Sequence, residues 1–356
     1  MKKILVIALS GIGDALMFTP ALSALKKVCP DSEIDCLVMY KGVSDIYQNL
    51  DEISEVKYWD FLNRSKIESL SFVLGLRRKY DISINVYPSN RKEYNLINFL
   101  IGAPKRAAVK YLRKDFVNLG FLNNVRIEEN DSLHNVEENV KLIEMVSGGS
   151  IGNVSGLILN LTPENENYAR NFLIEHNIGE DETVIGFHPG CSTLKNHANR
   201  RWSAKNFAEL AGLFIKNRNA RVLIFGGPEE RELKEEIIKH SGNENIIAVE
   251  TDSLIHTAAV MKRCNLFVTN DSSLMHVASA LQLKVVALIG PTNPNYIRPW
   301  KTEHRIASLN LECSPCFYYS PKPLSCGRND VKFKCIKELP VELVYKLSEE
   351  LLRSGK

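Results

Sequence analysis

Short apolar runs alternate with longer amphipathic stretches along most of the chain. "KKILVIAL" predicts a buried strand, and "DALMFTPALSALKKVC", with its apolar stripe, a helix. "EIDCLVMY" and "DISINVY" predict further strands. After residue 180 the alternation restarts. "TVIGFHPG" reads as a strand, and "SAKNFAELAGLFIKN" as a helix that Ser203 can cap. The strand "ARVLIFGG", a helix from Pro228 and the strand "NIIAV" follow. Then come the helix "SLIHTAAVMKRC", the strand "NLFVTN", the helix "SSLMHVASALQ" and the strand "KVVALIG". Strands alternating with helices predict parallel sheets with helices on both faces. Two such series predict an α/β protein of two doubly wound domains, residues 1–172 and 173–340. The polar segment "LTPENENYARNFLIEHNIGEDE" is expected to link them, and "PVELVYKLSEELLRS" reads as an amphipathic helix, with 341–356 packing back across the domains.

Length agrees with two domains, since 356 residues exceed what one core organises. With 44% hydrophobic and 24% charged residues, the composition is that of a globular protein. No apolar run approaches the ~20 residues of a membrane helix, and the chain enters its first strand without a leader pattern, so a cytoplasmic location is expected. The net charge of +3 says little, but its distribution says more. Between Asn63 and Lys114 twelve Lys or Arg face three acidic residues. That excess suits an anionic partner, either an acceptor molecule or the acidic surface of a membrane, although a solvated basic face has the same composition. No aromatic-interleaved strand or recognition helix accompanies it, which argues against nucleic acid.

In open parallel sheets ligands bind beyond the carboxyl ends of the strands. The loops there read "SGIGD", "HPGCST", "GGPEE", "TNDSS" and "GPTNP", four of the five in the second half. The crowding predicts a phosphorylated ligand on the C-terminal domain. In "TNDSSLMH", Asp271 can cap a helix whose first turn offers the N–H groups and hydroxyls of Ser272 and Ser273 to phosphate, with His276 one turn on. An ordinary capped helix would read the same. In "GGPEE", Glu229 or Glu230 can accept from ribose hydroxyls, or merely favour the helix dipole. Arg200 and Arg201 suit a diphosphate, or form a surface pair.

"SGIGDAL" tests a dinucleotide fingerprint and fails it. Position 16 is Leu16 rather than a third glycine, and the second strand ends in "VMYKG" without a ribose-binding acid. Gly11 and Gly13 are expected to let the loop turn tightly and hold Asp14 at a helix start. There Asp14 is either a cap or a base.

Cys313, Cys316, Cys326 and Cys335 form a C-x2-C-x9-C-x8-C cluster, while Cys29, Cys36, Cys191 and Cys264 are scattered. In a cytosolic chain the cluster suits a structural zinc site better than disulfides, with free thiols as the alternative.

These motifs resemble glycosyltransferase family 9, the ADP-heptose:lipopolysaccharide heptosyltransferases. The resemblance runs over nearly the whole chain. It rests on "GIGDALMFTPAL", "HPG" followed by "RRW", "FGGPEE", "TNDSSLMHVASAL" and "VVALIGPTNP". It implies a GT-B architecture of two Rossmann-like domains facing across a cleft, with the acceptor on the N-terminal domain and a nucleotide-sugar donor on the C-terminal one. It implies Asp14 as catalytic base and an inverting single displacement. Donor contacts are implied for Gly11, Gly13, Arg200, Glu230 or its neighbour Glu229, Asp271, Ser272, Ser273, His276 and Thr292. Arg200 stands where the family usually has lysine, and Ser273 where it has glycine. The implied partners are an ADP-sugar donor, ADP-heptose first, and an anionic glycolipid acceptor at the inner membrane surface. No Asp-x-Asp metal clamp appears, and no catalytic cofactor is implied. The alternatives are another NDP-sugar for a different surface glycan, or a nicotinamide-dependent sugar-nucleotide enzyme.

Overall fold

Buried aliphatic runs form the centre of two separate sheets. The computed structural model describes residues 2–318 and 323–354. The chain divides into two compact units, the first running to Asn160 and the second starting at Leu161.

The first unit runs β1 (Lys3–Ala8), α1 (Ile12–Val28), β2 (Glu33–Val38), α2 (Lys41–Tyr47), β3 (Glu55–Tyr58), α3 (Lys66–Gly75), β4 (Ile82–Asn85), α4 (Lys92–Ile101), β5 (Lys105–Lys110), β6 (Val125–Glu128) and α5 (Asn135–Ser147). Its six parallel strands lie in the order β3-β2-β1-β4-β5-β6. β1 is central and almost wholly buried, which is why it reads as a continuous apolar run. α1 carries Pro20 in its interior. The Leu16 carbonyl, which a residue-20 N–H would otherwise reach, accepts instead from the Thr19 hydroxyl at 2.7 Å.

The second unit runs α6 (Pro163–Glu175), β7 (Val184–His188), α7 (Ala204–Arg218), β8 (Arg221–Ile224), α8 (Arg231–Ser241), β9 (Ile246–Ala248), α9 (Leu254–Met261), β10 (Leu266–Asn270), α10 (Ser273–Ala280), β11 (Val285–Leu288), α11 (Pro294–Ile297), β12 (His304–Ala307), α12 (Lys334–Lys337) and α13 (Val341–Arg353). The strand order is β12-β11-β10-β7-β8-β9, all parallel. Each sheet therefore winds outward from its first strand in both directions, the doubly wound arrangement expected from the sequence.

Two segments differ from expectation. The polar stretch read as a linker is the helix α6, capped by Thr162 with Asn165 and packed on α9 inside the second unit. It buries only Ala169 and Phe172, too few apolar positions to show a helical period. The division consequently falls after Asn160 rather than after residue 172. α13 packs on α7 and against β10, β11 and β12, so its apolar face completes the second unit's core. Among the described residues no helix is long and apolar enough to cross a membrane.

Candidate active site

Each sheet reverses its winding between two neighbouring strands, β1 and β4 in the first unit, β7 and β10 in the second. Loops diverge at such a point and leave a crevice. The predicted site residues lie at these two points.

At the first, α1 begins at Ile12 with Gly11 as its cap residue, and Asp14 sits in the opening turn. The glycines do not work as expected. Gly11 has φ −68°, an ordinary value, and Gly13 lies within the helix. An added Cβ at Gly11 would meet only the Asp14 carboxylate, at 3.9 Å, an ordinary contact. The loop is tied across the sheet by Ser10 Oγ, which donates to the Pro88 carbonyl after β4, and by Tyr94 Oη, which donates to the Leu9 carbonyl at 2.7 Å. The Arg91 guanidinium stands 5.7 Å from the Tyr94 ring. Burial lifts the Tyr94 hydroxyl to about 12; the Arg91 charge opposes that rise and the Asp14 charge adds to it. The same two charges act on Tyr40. A carboxylate and a guanidinium thus act on the same two phenols. Arg91 had no motif to mark it; it was one cation among twelve.

At the second point the loops after β7, β8, β10 and β11 form one hydrogen-bonded network. Arg200 Nη1 reaches Asp271 Oδ2 at 2.5 Å, and Thr292 Oγ1 donates to the same oxygen at 2.6 Å. The cap residue of α10 is Ser272, and the Asp271 carboxylate before it is engaged by Arg200 and Thr292. Ser272 makes no side-chain cap bond, because its hydroxyl meets His188 Nδ1 at 2.7 Å and Thr269 Oγ1 at 3.1 Å. The first turn of α10 therefore keeps its backbone N–H groups clear of a side-chain cap, which is the anion-binding property of a helix N-terminus. Ser273 opens the helix with no left-handed backbone, so serine fits where the family usually has glycine.

Glu230 is buried and Glu229 exposed. Glu230 Oε2 accepts from the Gly227 N–H at 3.0 Å and meets His188 Nε2 at 3.2 Å, while Arg201 lies 3.6 Å from its other oxygen. Burial pushes the carboxyl up, but His188, the Gly227 N–H and Arg201 outweigh it and hold Glu230 below its ordinary range. His188, at the end of β7, is the hub that joins Glu230 to Ser272. In the sequence it stands out only as part of "HPG". Its place at the carboxyl end of the unit's first strand was the available signal.

Four buried polar atoms here have no hydrogen-bond partner among the described residues: Arg200 Nε, Arg201 Nε, His197 Nε2 and His276 Nδ1. Buried polar atoms are nearly always satisfied, so these four call for partners such as water, an ion or a polar ligand. Burial lowers His276 to about 4, with Asp271 opposing, so its ring is neutral at pH 7. Burial and the Arg200 charge take His197 to about 4 as well.

The cysteine cluster lies on the same unit. Cys313 and Cys316 are exposed, Cys326 half-buried and Cys335 buried. Cys313 Sγ accepts from the Arg328 guanidinium at 3.5 Å, and Cys326 Sγ accepts from the Phe333 N–H at 3.3 Å. Among the described residues no group of three or more His, Cys, Asp or Glu is gathered to hold a metal. Burial and the charges of Cys316, Cys326 and Cys313 raise the Cys335 thiol to about 11, so the four sulfurs of the cluster act on one another.

Residues 70–323 match glycosyltransferase family 9 (heptosyltransferase), well over half the chain. The chain belongs to this family of glycosyltransferases. It is similar to lipooligosaccharide heptosyltransferase 2 of Campylobacter jejuni, 32% identical over 180 residues, 48% of this chain and 52% of that one. The chain thus spans about half the length of that relative. It is similar over more of its length to lipopolysaccharide heptosyltransferase 2 of Escherichia coli, 26% identical over 86% of this chain and 88% of that one. The fold is shared with the solved E. coli ADP-heptose lipopolysaccharide heptosyltransferase II: TM-score 0.75, 23% identity, covering 99% of each chain. That likeness bears out the GT-B fold class.

Proposed function

We propose that the chain transfers heptose from ADP-heptose to an anionic, lipid-linked acceptor of the lipopolysaccharide core. The second unit would hold the donor. The first turn of α10, Arg200 and Arg201 would receive the diphosphate, and Glu230 and Thr292 would orient around the nucleotide. The observation that carries this reading is the cluster of unpartnered buried atoms on Arg200, Arg201, His197 and His276. In the first unit Asp14 would take the proton of the acceptor hydroxyl as that oxygen attacks the anomeric carbon. The bond to the diphosphate breaks in the same displacement, and ADP leaves with inversion. A carboxylate in the first turn of α1 is favoured as the anion, which a base requires. Arg91 in the same crevice would attract the acceptor's negative groups. Positive side chains and the α10 N-terminus would stabilise the leaving diphosphate.

Calorimetry with ADP, UDP, GDP and NAD tests the donor. Selective ADP binding is expected; preference for UDP or GDP would replace the sugar donor, and NAD binding alone would sink the transferase. Asp14→Ala tests the base. Its turnover should fall about 10²–10⁴-fold while ADP affinity stays as in the parent. Retained turnover would reduce Asp14 to a cap.

A further inference from the structure

One side of the first unit carries a feature the transfer chemistry does not use. α3 lays Phe72, Val73 and Leu76 toward the core of its sheet. Its opposite side is apolar too. Ile67, Leu70 and Leu74 recur at helical spacing and are 83%, 47% and 40% exposed. A helix apolar on both sides has one side without a partner. α4 packs beside α3 and repeats the arrangement with Leu96 and Phe99, 44% and 46% exposed. Against α4 lies the turn Gly120–Leu122, and the loop leading into it holds Phe116 and Val117, 77% and 68% exposed. Of the fifteen large apolar side chains exposed among the described residues, ten fall between residues 62 and 121. Scattered exposure needs no explanation, but concentration on adjoining elements does.

The same stretch holds the basic excess, twelve cations against three acids from Asn63 to Lys114. Lys66 and Lys92 are exposed at the starts of α3 and α4, and Lys114 just before Phe116. The Arg106 guanidinium stands 5.6 Å from the Phe99 ring. Apolar side chains set among cations match a bilayer with anionic headgroups, where the rings enter the acyl boundary and the cations meet phosphate. The face also adjoins the crevice of Asp14. Asn90 Nδ2 donates to the Arg113 carbonyl at 2.9 Å, and Asn118 Nδ2 donates to Asn90 Oδ1 at 2.8 Å. Ser10 joins the β4 loop to the Asp14 loop.

We propose that α3, α4 and the loop 112–121 form a docking face for the surface of an anionic bilayer, with Phe116 and Val117 as the inserting tip. This deepens the acceptor reading and rests on it for its purpose: a lipid-anchored acceptor would be presented beside Asp14.

The test is flotation of the full chain with phosphatidylcholine vesicles, plain or with about one third phosphatidylglycerol. The parent should float with the anionic vesicles, poorly with the plain ones, and less at high salt. The double variant Phe116→Ser, Val117→Ser should bind anionic vesicles about tenfold more weakly or worse, with unchanged melting and unchanged turnover on a lipid-free acceptor fragment. A Phe116→Trp variant should show blue-shifted fluorescence on those vesicles. Undiminished flotation of the double variant would overturn the proposal. So would failure of the parent to float, or a parent dimer that the double variant abolishes, which would make the face an interface between copies. Asp14→Ala should float like the parent, so loss of the transferase reading and loss of the docking face are told apart.

Discussion

Gly190 shows how tightly the second crevice is built around one carboxylate. A Cβ added there would lie 1.6 Å from Glu230 Oε1. Glu230 has little freedom to retreat, since its oxygens are bound to His188, the Gly227 N–H and Arg201. Gly190→Ala should therefore strip a buried carboxylate of partners and destabilise the unit by about 1–3 kcal/mol, read as a lowered melting temperature together with weaker nucleotide binding. The exposed Glu229→Ala should change neither. Equal effects of the two would refute the assignment of Glu230. For single residues the sequence revealed the types but not their pairing. Asp271 reads as a helix cap until Arg200 and Thr292, distant in sequence, are seen to claim its carboxylate.

Among elements, α13 closes part of the second unit's core. Leu351 on it is fully buried in the second unit's core, and Arg218 on α7 pairs with Glu349 through two hydrogen bonds of 2.6 and 2.8 Å. Leu351→Ala should cost about 2–5 kcal/mol in denaturant unfolding, because the core there can close only partly. A loss below about 0.5 kcal/mol would mean that α13 is dispensable to the unit. The helix itself was legible from its apolar stripe; its partner was not. The edge strands β3 and β12, "EVKY" and "HRIA", escaped reading because short edge strands carry charged and polar residues that hide the strand period. β5, "KRAAVK", is flanked by its lysines in the same way.

Across the molecule the two units should respond to acid with opposite signs. In the second, His276 has its pKa lowered from 6.5 to about 4 by burial. Between those values the unfolded chain binds a proton that the folded chain refuses, so stability falls as pH drops from about 6.5 toward 4, by at most ~1.4 kcal/mol per pH unit for this group. In the first, burial raises Glu138 from 4.5 to about 7. There the folded chain holds the proton, and stability falls as pH rises through that window. Calorimetric scans from about pH 7 to about pH 5 should lower the second unit's transition relative to the first, and His276→Gln should flatten that dependence. An unchanged slope in the variant would show that His276 does not carry it.

Read along the chain, the residues already disclose two doubly wound α/β units, the loops that bear chemistry and the family. Continuous buried strands, helical stripes and glycine-rich strand ends are local patterns that survive without coordinates. It took the folded arrangement to show that the supposed linker is α6, that His188 joins Glu230 to Ser272, and that Arg91 and Asp14 act on the same two tyrosines. Each of these depends on which side chains meet across separate crossover connections. Strand order and helix packing set those meetings, and no spacing along the chain records them.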